Sequence, residues 1–193
     1  TKEKKLYVWG RNADGQLGIG NTSDQNTPQE VTTVTFDGTG VGEIKKFQGL
    51  NYSDENTVAI LTERGTIYTT GYNNQGHMGN GNTTSLNTWT ICSNGCGNAS
   101  NADCNNFWMG GNGNHAQMWI EDSLGNIQCA GYNNHGSLGN GNNTTQNSFV
   151  TPKVYVGSNT TRDFHNVKMV SFYPHGNDLA TKILTWDGHV FQT

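Results

Sequence analysis

The sequence predicts an all-β chain of propeller-type blades, built from three repeats of about 60 residues. Three observations predict it. A pattern G-x-N-x-x-G-x-[LM]-G-x-G occurs at Gly10–Gly20, Gly71–Gly81 and Gly131–Gly141, its starts 61 and then 60 residues apart. Strand-like pairs joined by glycine turns precede the motif at a fixed interval, Gly65 and Gly125 each standing six residues before its first glycine. No window of 10 or more residues carries a helical apolar period, and Asn, Gly and Thr dominate most windows.

Lys5–Trp9 (K-L-Y-V-W) reads as a short strand running into Gly10. After the first motif, Asn21–Glu30 reads as a linker with Pro28 at a turn, and Val31–Phe36 as a strand ended by Asp37-Gly38-Thr39-Gly40. Glu43–Phe47 is a further short strand and Gly49–Asn56 a polar connection. Thr57–Thr62 and Thr66–Thr70 then form a hairpin across Glu63-Arg64-Gly65, with glycine where a tight turn needs positive φ. The same grammar recurs at Ala116–Glu121 with Asn126–Ala130, and at Ala180–Thr185 with His189–Thr193. The expected organisation is one domain, 1–193, with repeats at 5–65, 66–125 and 126–188 and a partly duplicated end strand at 189–193. Because the chain opens on Thr1, it is expected to be a fragment or a processed product.

Composition narrows the function classes. Hydrophobic residues make up 32% and charged residues 13%, which alone would permit disorder, but the glycine and apolar positions return in register. The net charge is −4, and no Lys or Arg lies between Arg64 and Lys153, a poor surface for a phosphate backbone, so no nucleic-acid partner is expected. No run of 18 apolar residues exists to insert into a membrane.

The repeat resembles the RCC1 (regulator of chromosome condensation) repeat. Tyr7-Val8-Trp9-Gly10 with Asp14-Gly15-Gln16-Leu17-Gly18 follows that family's pattern closely. Gly65-Thr-Ile-Tyr-Thr-Thr-Gly71 and Gly125-Asn-Ile-Gln-Cys-Ala-Gly131 are variants of its strand, and Trp186-Asp187-Gly188-His189-Val190-Phe191 matches as far as the chain runs. The resemblance implies a β-propeller of four-stranded blades, usually seven. Three repeats do not close such a ring, so the expectation is an incomplete ring or one completed by oligomerisation. The family's guanine-nucleotide exchange and chromatin docking are expected to carry over poorly, for want of a basic surface.

The motif glycines (Gly10, Gly15, Gly18, Gly20; Gly71, Gly76, Gly79, Gly81; Gly131, Gly136, Gly139, Gly141) are read as structural turns. No Lys-Ser/Thr and no helix follows them, which excludes a phosphate-binding loop. Asn12, Asn73 and Asn133 are expected to bond backbone inside the turn, and Leu17, Met78 and Leu138 to be buried plugs. Cys92, Cys96 and Cys104 share a polar loop, where a disulfide or free thiols would each fit; Cys129 reads as a lone thiol. The cysteine spacing is a weak match to a structural zinc site, so neither metal nor cofactor is expected. Glu121 and Asp122 are adjacent and would face opposite sides of a strand, which suits no carboxylate pair for glycoside hydrolysis, so no enzyme is expected.

Ligand contact is expected at Tyr72 and Tyr132, which hold matching motif positions, and in the middle loop at Asn94, Asn98, Asn101, Asn105, Asn106, Phe107 and Trp108. The Gly/Asn/Thr composition is also similar to the tip domains of phage tail fibres and bacterial surface fibres. The expected function is accordingly a non-enzymatic adhesin tip: receptor binding and host recognition of a cell-surface glycan or protein, carbohydrate binding, a homotrimer, and an extracellular or virion-fibre location. The alternative is a fragment of an RCC1-type propeller scaffold that binds an intracellular protein partner; a structural cap with no ligand is a third reading.

Overall fold

The computed structural model describes residues 5–36, 41–52, 55–92, 104–155, 161–175 and 178–193. The fold is all-β and propeller-like, and among the described residues its sheets do not close into a ring. Two four-stranded antiparallel sheets form the middle. The first runs in the order β3 (Ile44–Tyr52), β4 (Glu55–Thr62), β5 (Ile67–Gly71), β6 (Leu86–Ile91), and the second β7 (Cys104–Gly110), β8 (Gln117–Asp122), β9 (Ile127–Gly131), β10 (Gln146–Val150). A two-stranded ribbon, β1 (Tyr7–Gly10) with β2 (Gln25–Glu30), lies on one side. On the other, beyond a small ribbon of β11 (Lys153–Tyr155) and β12 (Thr161–Asp163), comes a three-stranded sheet of β13 (Val167–His175), β14 (Asp178–Thr185) and β15 (Val190–Gln192).

The sequence repeat and the sheet are out of phase. Each repeat supplies the third and fourth strands of one sheet and the first two of the next, with the glycine motif between strands three and four. The hairpins form as the alternation predicts: Leu61 pairs with Ile67, and Gly65, at φ 74°, donates its N–H to the Thr62 carbonyl at 2.9 Å.

Three segments differ from expectation. The linker at Asn21–Glu30 contains β2, which tolerates Pro28 because it is an edge strand with no outer ladder to complete. Val31–Phe36 is not a strand. Val31 and Phe36 are five residues apart and would face opposite sides of one, yet both are buried in the same cluster with Ile60, Tyr68 and Trp89, so the chain bends. Gly49–Asn56 is not a polar connection, because β3 continues through Gly49, paired with Val58, and Leu50, paired with Thr57.

The motif docks one sheet onto its neighbour. Asn73 is wholly buried; its Oδ1 accepts the Met78 N–H at 3.0 Å and its Nδ2 donates to the Asn82 and Thr84 carbonyls at 3.1 and 3.3 Å. Asn12 and Asn133 make the corresponding bonds to the amides of Leu17 and Leu138. Gly79 lies at φ 64°, and a Cβ there would run into the ring of Phe149 on β10, in the next sheet. Gly20 and Gly81 donate to the Asn87 and Asn147 carbonyls at 2.8 and 2.7 Å. Between sheets lie apolar seams: Ala59, Leu61, Phe107 and Met118 in the first full one, and Trp108, Trp119, Leu138 and Ile183 in the next. Beside the two-stranded β1–β2 ribbon lies an apolar groove of about 500 Å³ lined in part by Phe47, Ile44 and Val58.

Candidate protein-binding cleft

The residues expected to touch a ligand fall at opposite ends of the strands. Tyr72 and Tyr132 sit at the motif end, beyond Gly71 and Gly131, whereas Asn105 and Asn106 begin β7 at the turn end. A strand length of roughly 15–20 Å separates them. Tyr72 is half-buried; its hydroxyl accepts from Asn74 Nδ2 at 2.7 Å, and burial together with its bond to Glu55 pushes its pKa up to about 12. Tyr132 is buried and packs edge-on against His115 at 4.4 Å. Phe107 and Trp108 are both core residues in opposite seams, so neither presents its ring to a ligand. Asn94, Asn98, Asn101 and Cys96 lie outside the described residues. Cys104 is disulfide-bonded. Cys92 and Cys129 are free thiols, their pKa values raised by burial, and so Cys92 leaves the set of disulfide candidates. Among the described residues no three of His, Cys, Asp and Glu converge as a metal would require.

At the turn end, a cleft of about 320 Å³ opens between the β7–β10 sheet and the β13–β15 sheet. Its lining includes Asn105, Asn106, Glu121, Leu124, Lys168 and Trp186. The β8–β9 turn places Leu124 at its rim: Asp122 Oδ1 accepts the amides of Leu124 and Asn126 at 2.9 and 2.8 Å and holds the turn tight. Asn166, in the left-handed region at φ 54°, accepts the Trp186 N–H on its carbonyl at 3.0 Å and fixes the opposite rim. Leu124 is 82% and Trp186 68% exposed, and Lys168 Nζ lies 5.1 Å from the Trp186 ring centre. Glu121 is mostly buried on the cleft floor and accepts from Asn105 Nδ2 at 3.3 Å. Burial raises its pKa, against the opposing pull of Asn105 and the Lys45 charge. A polar floor with one carboxylate, under a rim of exposed aromatic and aliphatic side chains, suits contact with a polypeptide.

Sequence reasoning passed over Leu124, Lys168 and Trp186 as site residues. The available signal was a large apolar residue in the turn, Leu124 next to Gly125 and Trp186 two residues before Gly188, where the first hairpin has Glu63-Arg64-Gly65.

The comparisons with known proteins bear on this surface. The family model of the regulator of chromosome condensation (RCC1) repeat matches residues 4–47. The chain is built from RCC1-like repeats. A zebrafish (Danio rerio) RCC2 homolog is 35% identical over 144 residues, covering 72% of this chain and 25% of that protein. The human X-linked retinitis pigmentosa GTPase regulator is 34% identical over 93 residues, covering 48% of this chain and 8% of that one. The structure of Prp20p from Saccharomyces cerevisiae, described with its binding to Gsp1p and histones, matches with a TM-score of 0.61 at 17% identity, over 97% of this chain and 40% of Prp20p. At that identity the last match speaks for the fold alone. This chain therefore spans about a quarter of the RCC2 homolog and two fifths of Prp20p.

These relatives overturn the fibre reading. They are RCC1-type proteins and a GTPase regulator, so the adhesin, tail-fibre, host-recognition and carbohydrate-binding expectations fall. With them go the cell-surface glycan receptor, the homotrimer and the extracellular or virion location. The composition misled for a physical reason: the motif glycines and the buried Asn12, Asn73 and Asn133 serve turns inside the RCC1-like motif and not a ligand surface.

Proposed function

We propose that this chain is part of an RCC1-type propeller scaffold that binds an intracellular regulatory protein, without catalysing a reaction, through the turn-end cleft. Residues 1–193 act in this reading as one repeat domain. The observation that carries it is the pairing of exposed Leu124 and Trp186 across a polar cleft between adjacent sheets. Large apolar side chains standing free beside a well-packed core are what a protein interface uses as anchors. The relatives support the partner class: one is named a GTPase regulator, and Prp20p is described by its binding to other proteins. Asn105 and Asn106 belong to this site as its floor, while Tyr72 and Tyr132 do not.

The test is affinity capture with the chain, followed by direct titration of the purified partner against wild type, Leu124→Ser and Trp186→Ala. Truncating an anchor of this kind costs about 2 kcal/mol or more, roughly thirtyfold in Kd. Both side chains are surface residues, so the thermal midpoint should hold. Equal affinity for all three proteins would place binding elsewhere and sink the reading.

A further inference from the structure

We infer that the turn-end cleft receives a lysine side chain from the partner protein, its ammonium held between the Glu121 carboxylate and the oxygen atoms at the start of β13. This deepens the proposed function and rests on it. A β-bulge falls at the same place in β3, β7 and β13, between Ile44 and Lys46, Cys104 and Asn106, and Val167 and Met169. It aligns Lys45 with Asn105 and Lys168, and Lys46 with Asn106 and Met169.

In the first full seam the two lysines cross to the neighbouring sheet. Lys45 Nζ donates to the Asn105 carbonyl at 3.0 Å, and Lys46 Nζ to Asn106 Oδ1 at 2.8 Å and to the Phe107 carbonyl. Lys46 also lies 4.8 Å from the centre of the Phe107 ring. In the next seam the crossing positions are Asn105 and Asn106, whose short amides are turned back toward Lys45 and Lys46. Among the described residues, Asn105 and Asn106 line this cleft from β7 with side chains shorter than the lysines that cross one seam earlier.

One further exchange sets the charge. The cross-strand partner of the second bulge position is Leu61 in one sheet and Leu184 in another, but Glu121 in the sheet that floors the cleft. A carboxylate therefore stands where the repeat otherwise places leucine, in the lining of the cleft. Lys168, the charged neighbour on the other wall, leans against the Trp186 ring. Asp122 and Lys45 stand behind Glu121.

The probe is the peptide acetyl-Gly-Gly-Lys-Gly-Gly-amide, titrated into the chain while the Trp186 indole N–H signal is followed by NMR, that signal being assigned with Trp186→Phe. Arginine and norleucine peptides are the comparisons; norleucine keeps the stem and removes the charge. The lysine peptide should bind about tenfold tighter than the norleucine peptide, as expected of a charge-assisted contact. Glu121→Gln should weaken lysine binding by roughly threefold or more, and Lys168→Gln should strengthen it, since the two act with opposite sign. Equal binding of lysine and norleucine peptides, or no response to Glu121→Gln in a protein of unchanged thermal midpoint, overturns the lysine assignment. Should that happen while Leu124→Ser and Trp186→Ala still weaken partner binding, the assignment alone fails; should those variants also bind normally, the reading beneath it fails too.

Discussion

Replacing Asn73 with alanine tests whether the motif asparagine is the bolt of each repeat. The side chain is wholly buried, as is Met78, whose amide it receives. Removing it leaves the Met78 N–H without an acceptor in a dry seam, at a cost of about 1–3 kcal/mol. The bonds from Nδ2 to the carbonyls of Asn82 and Thr84 are also lost. Those residues are exposed, so water takes over and each bond costs only about 0.5–1.5 kcal/mol. Together the loss is about 2–6 kcal/mol, against a total stability of roughly 5–15 kcal/mol for a domain. Asn73→Asp sharpens the test: it keeps the acceptor for Met78 but sets a carboxylate against two carbonyl oxygens, so it should be no more stable than the alanine variant. The assay is urea unfolding followed by circular dichroism, compared at a common slope. A loss below about 1 kcal/mol for Asn73→Ala, or wild-type stability for Asn73→Asp, would refute the bolt.

Two further outcomes follow from buried groups in the same motif. His77 is wholly buried and burial lowers its pKa from 6.5 to about 4. Thr57 Oγ1 donates to the Tyr72 carbonyl, so it accepts from His77 Nε2, leaving Nδ1 buried without a partner among the described residues. The unfolded chain takes up a proton below pH 6.5 and the folded one only below about 4, so stability present above 6.5 is lost as the pH falls through that window. The loss amounts to about 3 kcal/mol. His77→Gln, the residue the first motif carries as Gln16, should remove most of that difference between pH 7 and pH 4.5 in urea midpoints; an unchanged difference would show that His77 does not set it. Gly79→Ala must fit a methyl into the Phe149 ring at positive φ and should cost about 2–4 kcal/mol, whereas Gly20→Ala meets nothing within 4 Å and should cost about 1 kcal/mol. Equal shifts in thermal midpoint for the two would contradict the docking of motif onto neighbouring sheet.

The hairpins and the motif turns were legible because each rests on local chemistry: a glycine at positive φ between two alternating runs. β2 was hidden by Gln25–Glu30, polar throughout and interrupted by Pro28, a composition that suits an edge strand as well as a loop. Phe107 and Trp108 were misread because adjacent residues on a strand face opposite ways, and a strand sandwiched between two sheets buries both. Of the cleft, only Asn105 and Asn106 were legible. It depends on Lys45, Asn105 and Lys168 sharing one bulge position about 60 residues apart, and on two turn residues, Leu124 and Trp186, meeting across a seam. Composition pointed the wrong way over function because it weighed the glycines and asparagines of the RCC1-like motif as surface.

The most direct test of the central claim is hydrogen–deuterium exchange of the chain with and without its purified partner. Binding at the turn end predicts slowed exchange in peptides covering 122–126, 164–168 and 185–189, with little change at 72–76 and 132–136. Protection confined to the motif end, around Tyr72 and Tyr132, would contradict the account.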